Sequence, residues 1–525
     1  LCKRVQVRSG TGRSMLGAIH PMKGALMSDS RFVPSLALLD AVTIEISASA
    51  PDGVVPGQAV RPGSGVEAIE ALAPWGFAAA VGQTYRSSDA VLVGVGPALA
   101  PLGARAGALG EASDAVSADL LREAAAAYAR AAASQAALAT DLVVFGDDLA
   151  RSAQAVVEGV LLARYAYTDY ISESKSVPVS TLTLVVPDLD DAGRAVVQEG
   201  VDRALILVRA AWISRDLANT PPSRLTAPDF ADASVALAAR FGLEVEVFDK
   251  AQLIELGCGG LLGVNAGSVV EPRMVRLTYT PAGEAHAHLG LVGKGITYDS
   301  GGISLKPSNA MHAAMKMDMA GAGSVVAAMT TLADLGATAK VTAFLALTDN
   351  MPSGSATKLG DVLVTRSGRS IEVMNTDAEG RLVMSDAIDL AREAGVEAII
   401  DVATLTGAAL MALGPLTGAV IGNDAGMVER IKQASALTDE TVWELPLDWR
   451  YRAWMNSDVA DIKNLGGESA GATTAALFLA EWVRDLPWAH LDIAGPMKSD
   501  KADGWRVPGA TGFGARLLAE VVAAY

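Results

Sequence analysis

Cysteine is almost absent. Cys2 and Cys258 are the only two, too few for a disulfide framework or a thiolate metal site, and their scarcity fits a reducing cytosol. Histidine is nearly as sparse: the five (His20, His286, His288, His312, His490) are scattered, and none forms a His-Glu-x-x-His helix signature. Any metal bound by this chain must therefore be held by carboxylates. Aromatic residues make up 5% against 51% hydrophobic residues in all, which leaves the core to Ala, Val, Leu and Ile. No apolar run reaches the roughly 18 to 20 residues that span a bilayer, and no charged-then-apolar leader is seen. The expectation is a soluble protein with no membrane partner. Basic charge is also in deficit. A formal net charge of −17 lacks the basic face that phosphate neutralisation needs, which argues against a general nucleic-acid binder.

What is present is length and alternation. A chain of 525 residues exceeds one ordinary core, so two domains are expected. Residues 1–28 carry Lys3, Arg4, Arg8, Arg13 and Lys23 without an acid and read as a disordered tail, with Met15, Met22 and Met27 as alternative starts. Residues 29–190 read as a smaller N-terminal α/β domain, a scaffold without a catalytic cluster. In it, apolar runs at 90–95 and 141–145 alternate with Ala-rich helical stretches such as 118–139. Residues 191–220 read as a connecting helix that Pro221 and Pro222 stop. Residues 221–525 read as a larger catalytic α/β domain with a mostly parallel central sheet. Its strands are expected at 243–248, 274–279, 288–292, 340–347, 398–402 and 489–493, and its helices at 321–335, 472–483 and from 513.

The densest chemistry lies in Asn375-Thr376-Asp377-Ala378-Glu379-Gly380-Arg381-Leu382, between an apolar run and an amphipathic helical pattern. Acidic side chains on such a strand-to-helix turn sit beside unpaired amides that favour negative charge. The plain reading is a helix cap, with Glu379 closing a capping box and Arg381 as a solvated partner. A second charged stretch, Gly293-Lys294-Gly295-Ile296-Thr297-Tyr298-Asp299-Ser300-Gly301-Gly302, also reads as a glycine-rich turn after an apolar run. A third adds Lys306 and Asp318. Together these hold four carboxylates (Asp299, Asp318, Asp377, Glu379) beside Lys294, Lys306 and Arg381. Carboxylates that converge without a counter-cation repel one another and take up protons. Two divalent ions would satisfy the charge, with Lys294 able to ligate only when neutral.

These segments, with Leu305-Lys306-Pro307, Met315-Lys316-Met317-Asp318-Met319, Asp401-Val402-Ala403-Thr404-Leu405-Thr406-Gly407-Ala408 and His490-Leu491-Asp492-Ile493-Ala494-Gly495, resemble the cytosolic leucyl aminopeptidase family. The resemblance runs over most of residues 205–520. It implies a dimetal exopeptidase that releases N-terminal amino acids, leucine and other apolar residues above all, from peptides with a free amino terminus, by attack of a dimetal-activated water. By the same resemblance Asp299 and Glu379 bridge two divalent ions, zinc or manganese; Lys294 and Asp318 complete one coordination sphere and Asp377 the other. Lys306 polarises the scissile carbonyl, and Arg381 holds bicarbonate as a proton relay. Met315, Thr404, Leu405 and Gly407 line the first side chain's pocket, and the assembly is a homo-hexamer. Tyr298 stands where phenylalanine is usual, and Met384-Ser385 replace the usual Leu-Ala.

Three other readings compete. Gly467-Glu468-Ser469-Ala470-Gly471 matches a serine-hydrolase elbow, but residues 461–465 make a poor strand and His490 follows too soon. The glycines around Lys294 and Gly321 complete no nucleotide-binding pattern. A DNA-associated assembly protein on the same fold is the non-catalytic alternative, and the acidic balance opposes it. Lys316 reads as a structural cation and His490 as a satisfied core group.

Overall fold

A computed structural model of the chain describes residues 32–62, 72–87, 89–96 and 115–525, so the basic tail at 1–28 lies outside the described residues. The fold is α/β in two domains, each built on its own sheet. Among the described residues the N-terminal sheet has six strands in the order Thr43–Ser47, Thr181–Val185, Ala137–Thr140, Gly57–Val60, Val91–Gly94 and Thr84–Arg86. All its neighbours run parallel except the last pair. Helices Ala118–Ala131 and Leu149–Arg164 pack together beside it.

Two of the expected elements in this domain change places. The Ala-rich helix stops at Ala131, and residues 137–140 form a strand. Alanine favours a helix wherever packing does not decide, but here Ala137 to Thr140 pair with Thr181 to Leu184, and the sheet prevails. The apolar run at 141–145, expected as the strand, is instead a 3-10 turn at Leu142–Phe145.

The C-terminal domain is built, among the described residues, on an eight-stranded sheet. Its order is Val442–Glu444, Gly418–Gly422, Trp488–Asp492, Ala398–Ala403, His288–Asp299, Lys340–Asn350, Arg273–Tyr279 and Glu244–Phe248. The four central strands are parallel, so their C-terminal ends share one edge, where open α/β sheets bind ligands. Strand His288–Asp299 extends well past the expected Val292. Gly293 lies within strand rather than turn, and a Cβ there would sit 2.6 Å from the Ala322 Cα, so the bare backbone lets helix Ala320–Met329 rest directly on the strand. That helix ends six residues early, because Thr330 and Thr331 turn their hydroxyls back to the carbonyls of Ala327 and Ala328.

Helix Asp191–Asn219 packs into both domains. The Asp190 side chain caps it through the Gly193 N–H, and Thr220 precedes the prolines that end it. One of its faces, with Val201, Ala204 and Val208, belongs to the N-terminal core. Another, with Leu207, Ile213 and Leu217, belongs to the C-terminal core. The helix is thus shared structure rather than a free linker.

Candidate metal centre

Strand His288–Asp299 carries Lys294 in its interior and ends on Asp299, both buried. The neighbouring strand ends on Asn350, whose amide donates to Asp299 Oδ1 and to the Thr376 carbonyl, both at 2.9 Å. One side chain therefore ties the first charged stretch to the octet. The chain then turns through Gly301 at φ +89°, where a Cβ would meet the Ser304 carbonyl at 2.4 Å. That turn delivers Lys306, whose Nζ lies 2.8 Å from Asp299 Oδ2 and 2.5 Å from Asp377 Oδ1.

A 3-10 turn at Ala314–Met317 presents Asp318 from the other side. Lys294 Nζ sits 2.8 Å from Asp318 Oδ2 and 2.7 Å from Glu379 Oε1, and donates to the Thr404 carbonyl at 3.1 Å. Glu379 precedes helix Gly380–Glu393 and makes no side-chain cap. The capping box therefore does not form. Asn375 Oδ1 accepts from the Asp377 N–H, while Thr376 Oγ1 donates to the Gly301 carbonyl and accepts from the Ser304 N–H. The octet's polar side chains tie turn to turn, which leaves its acids pointing inward.

The result is a buried acidic nest. Asp299, Asp318 and Glu379 each offer an oxygen, and the three lie within 4.8 Å of one another. Burial raises the pKa of Asp318, of Glu379 and of Asp377, and for each of them a neighbouring carboxylate adds to the rise. Burial opposes the charge on Lys294 and Lys306. The carboxylates outweigh it and hold both ammonium groups above their ordinary range. Among the described residues, buried Glu379 Oε2 has no hydrogen-bond partner. Asp318 Oδ2 and Asp377 Oδ1 also lack a well-angled hydrogen bond, although a lysine nitrogen stands within ion-pair distance of each. Unsatisfied carboxylate oxygens, buried and converging, are the donor set a hard divalent cation takes up.

Arg381 is buried rather than solvated. Its guanidinium lies 6.0 Å from the Phe478 ring, and its Nε has no partner. Burial pushes its pKa down to about 10, with Glu379 and Asp492 opposing. Of the residues expected to line the first pocket, Thr404 and Met315 are buried and Leu405 is half-buried. Gly407 is exposed and opens helix Gly407–Leu413. Thr404 Oγ1 donates to Asp318 Oδ1 at 2.7 Å.

Several supporting residues escape a reading of the sequence. Besides Asn350, Asn464 accepts from the Met374 N–H at 2.8 Å and donates to the Asn375 carbonyl at 2.7 Å. Asp492 accepts from Leu405 and Thr406. Each acts across a gap in sequence that no local pattern spans. Ser469 is exposed, following the two-residue strand Ile462–Lys463. Lys316 donates to the Asn219 carbonyl at 2.6 Å. His490 lies within a central strand with Nδ1 2.6 Å from Asp401 Oδ1, although its Nε2 has no partner.

The chain is similar to known proteins over much of its length. The family model described as the cytosol aminopeptidase family, catalytic domain, matches residues 212–519, and that for the family's N-terminal domain matches residues 83–174. A probable cytosol aminopeptidase of Alkaliphilus metalliredigens is 42% identical over 369 residues, 70% of this chain and 74% of that protein. A second, from Nostoc punctiforme, is 39% identical over 409 residues, 77% of this chain and 82% of that protein. Among solved structures, the bottromycin maturation enzyme BotP in complex with Mn is similar at a TM-score of 0.79. It is 39% identical in sequence, and the match covers 90% of this chain and 99% of that one.

Proposed function

We infer, from a chain that belongs to the cytosol aminopeptidase family, how its acidic nest carries out a metal-dependent aminopeptidase reaction. The chain is a hydrolase of that family. The finer reading is that two divalent ions would be held here, with Asp299 and Glu379 serving both, Lys294 and Asp318 serving one and Asp377 the other. The observation that carries it is Glu379 Oε2, buried without a partner beside two further carboxylates. Manganese in the structure of the BotP relative favours Mn, and the oxygen-and-amine set also accepts zinc. When bound, such ions supply Lewis acidity and lower the pKa of a water toward neutrality.

The chain's own residues do the rest. Lys306, part-exposed and steered by two carboxylates, presents an ammonium to the oxyanion that develops on the scissile carbonyl. Arg381, with an unspent Nε in a buried setting, suits a small anion such as bicarbonate that passes the proton onward. Met315, Thr404, Leu405 and Gly407 form an apolar wall with a polar edge, fitting leucine or another apolar first residue. Exposed Trp443, Trp449 and Trp454 are the kind of apolar surface that subunit contacts cover, in keeping with a hexamer. A cytoplasmic location is in keeping with the relatives' names and with the scarcity of cysteine. No helix among the described residues is long and apolar enough to cross a membrane.

The deciding experiment is hydrolysis of leucine p-nitroanilide before and after chelation, with metal analysis and sedimentation mass. Activity that is lost on stripping and restored by Mn is expected. Activity that persists in metal-free protein refutes the dimetal reading.

A further inference from the structure

We propose that Asp492 is a positioning residue: it sets the wall formed by residues 404–407 against the carboxylate nest, and so tunes both metal affinity and choice of first side chain. The proposal rests on the dimetal reading of the nest for its chemistry, but its geometry is independent of it. Asp492 ends strand Trp488–Asp492, which pairs in parallel with Ala398–Ala403, Ala403 opposite Asp492. Parallel neighbours end at the same sheet edge, so Asp492 stands beside the loop that leaves Ala403.

The carboxylate is 1% exposed and fully engaged. Its Oδ1 accepts from the N–H groups of Leu405 at 3.1 Å, Thr406 at 3.4 Å and Ala494 at 3.1 Å, and its Oδ2 accepts from Thr406 Oγ1 at 2.6 Å. Thr406 Oγ1 in turn accepts from the Ala409 N–H at 3.0 Å and caps helix Gly407–Leu413. Only one residue away, Thr404 reaches in the opposite direction. Its carbonyl accepts from Lys294 Nζ at 3.1 Å and its hydroxyl donates to Asp318 Oδ1 at 2.7 Å. Residues 404–406 are thus held by Asp492 through Leu405 and Thr406 and hold the nest through Thr404. A carboxylate suits the task because four donors meet it and it needs only acceptors. Partners behind the ligating groups commonly govern ligand orientation.

The test uses the full chain with Asp492→Ala, Asp492→Asn and Thr406→Val. Mn2+ affinity is measured by electron paramagnetic resonance titration, and kcat and KM are measured for leucine, methionine and alanine p-nitroanilides. Asp492→Ala is expected to weaken Mn2+ binding by about tenfold and to shift the leucine-to-alanine ratio of kcat/KM by about fivefold. Asp492→Asn keeps an acceptor and recovers part of both losses. Thr406→Val moves both readouts the same way by less, and decides the matter if Asp492→Ala does not fold. Affinity and ratio both within about twofold of the parent in a folded variant overturn the proposal, and a change in affinity alone overturns its selectivity half. If the parent binds Mn2+ but cleaves no anilide, the aminopeptidase reading falls while the affinity arm still judges Asp492.

Discussion

Lys306 and Glu379 sit in the same nest, yet their removal has different consequences. Lys306 is held between Asp299 and Asp377 at 2.8 Å and 2.5 Å, and in its proposed role the ammonium stabilises charge rather than holding metal. Lys306→Ala should lower kcat by about a hundredfold while metal content stays full. An unchanged turnover number would refute its electrophilic role. Glu379→Ala removes the oxygen that has no other partner, so both metal and activity should be lost, and full occupancy by metal analysis would contradict bridging. Away from the nest, Asp216 is buried, accepting from Ser35 and from Tyr165 Oη at 2.8 Å. Burial raises its pKa from 3.8 to about 7, although those hydrogen bonds lower it. A folded value above the unfolded one means that its contribution to stability is full below about 3.8 and is lost as pH rises through about 7. Asp216→Asn has no such loss. Its melting temperature relative to the parent should climb across that window and level off above it, as differential scanning fluorimetry at stepped pH would record.

At the scale of the element, helix Gly380–Glu393 starts where the nest needs bare backbone. A Cβ on Gly380 would lie 2.6 Å from Lys294 Cε and 2.8 Å from its Nζ. Alanine is otherwise the better helix residue by up to about 1 kcal/mol, so helical structure should survive in Gly380→Ala. Lys294 must shift between Asp318 and Glu379 to make room. The expected outcome is an unchanged far-UV circular dichroism spectrum with metal affinity reduced by about tenfold or more; normal affinity would show that Lys294 yields without cost. The same close approach explains why the stretch around Lys294 is strand: Gly293 and Gly295 admit a helix and a neighbouring strand, a use of glycine that looks like a turn signal when read along the chain alone.

At the scale of the molecule, the domains are joined by buried charge as well as by the shared helix. Glu158 of helix Leu149–Arg164 faces Arg122 of helix Ala118–Ala131 at 2.8 Å and Arg516 of the terminal helix Ala515–Ala523 at 2.9 Å. Arg516 also lies 3.4 Å from Glu440, which accepts from the Gly514 and Leu517 N–H groups. Burial opposes the charge of Glu158, but Arg122 and Arg516 prevail and hold its pKa below the ordinary 4.5. Glu158→Ala leaves two buried guanidinium groups facing each other and should cost roughly 3 to 5 kcal/mol, read from urea unfolding at neutral pH. Because the folded value is depressed, the contribution is full above about 4.5 and is lost as pH falls through the folded value. The gap between parent and variant should therefore close in acid.

Much of the molecule could be read from the chain alone. The scarcity of cysteine and histidine left carboxylates as the metal donors, and apolar alternation marked an α/β protein, because residue chemistry and local periodicity are properties of short segments. The residues of the nest were legible for the same reason: they lie in three compact, unusually charged stretches. What tertiary structure alone decided is how these stretches meet. Residues 137–140 became a strand because Thr181 to Leu184 lay alongside. The octet's alternative reading as a cap gave way to bonds with Gly301 and Ser304. Asn350 reaches Asp299 across 51 positions and Asn464 reaches Asn375 across 89. Such contacts depend on strand order and on which edge the strands end at, and long-range packing settles both.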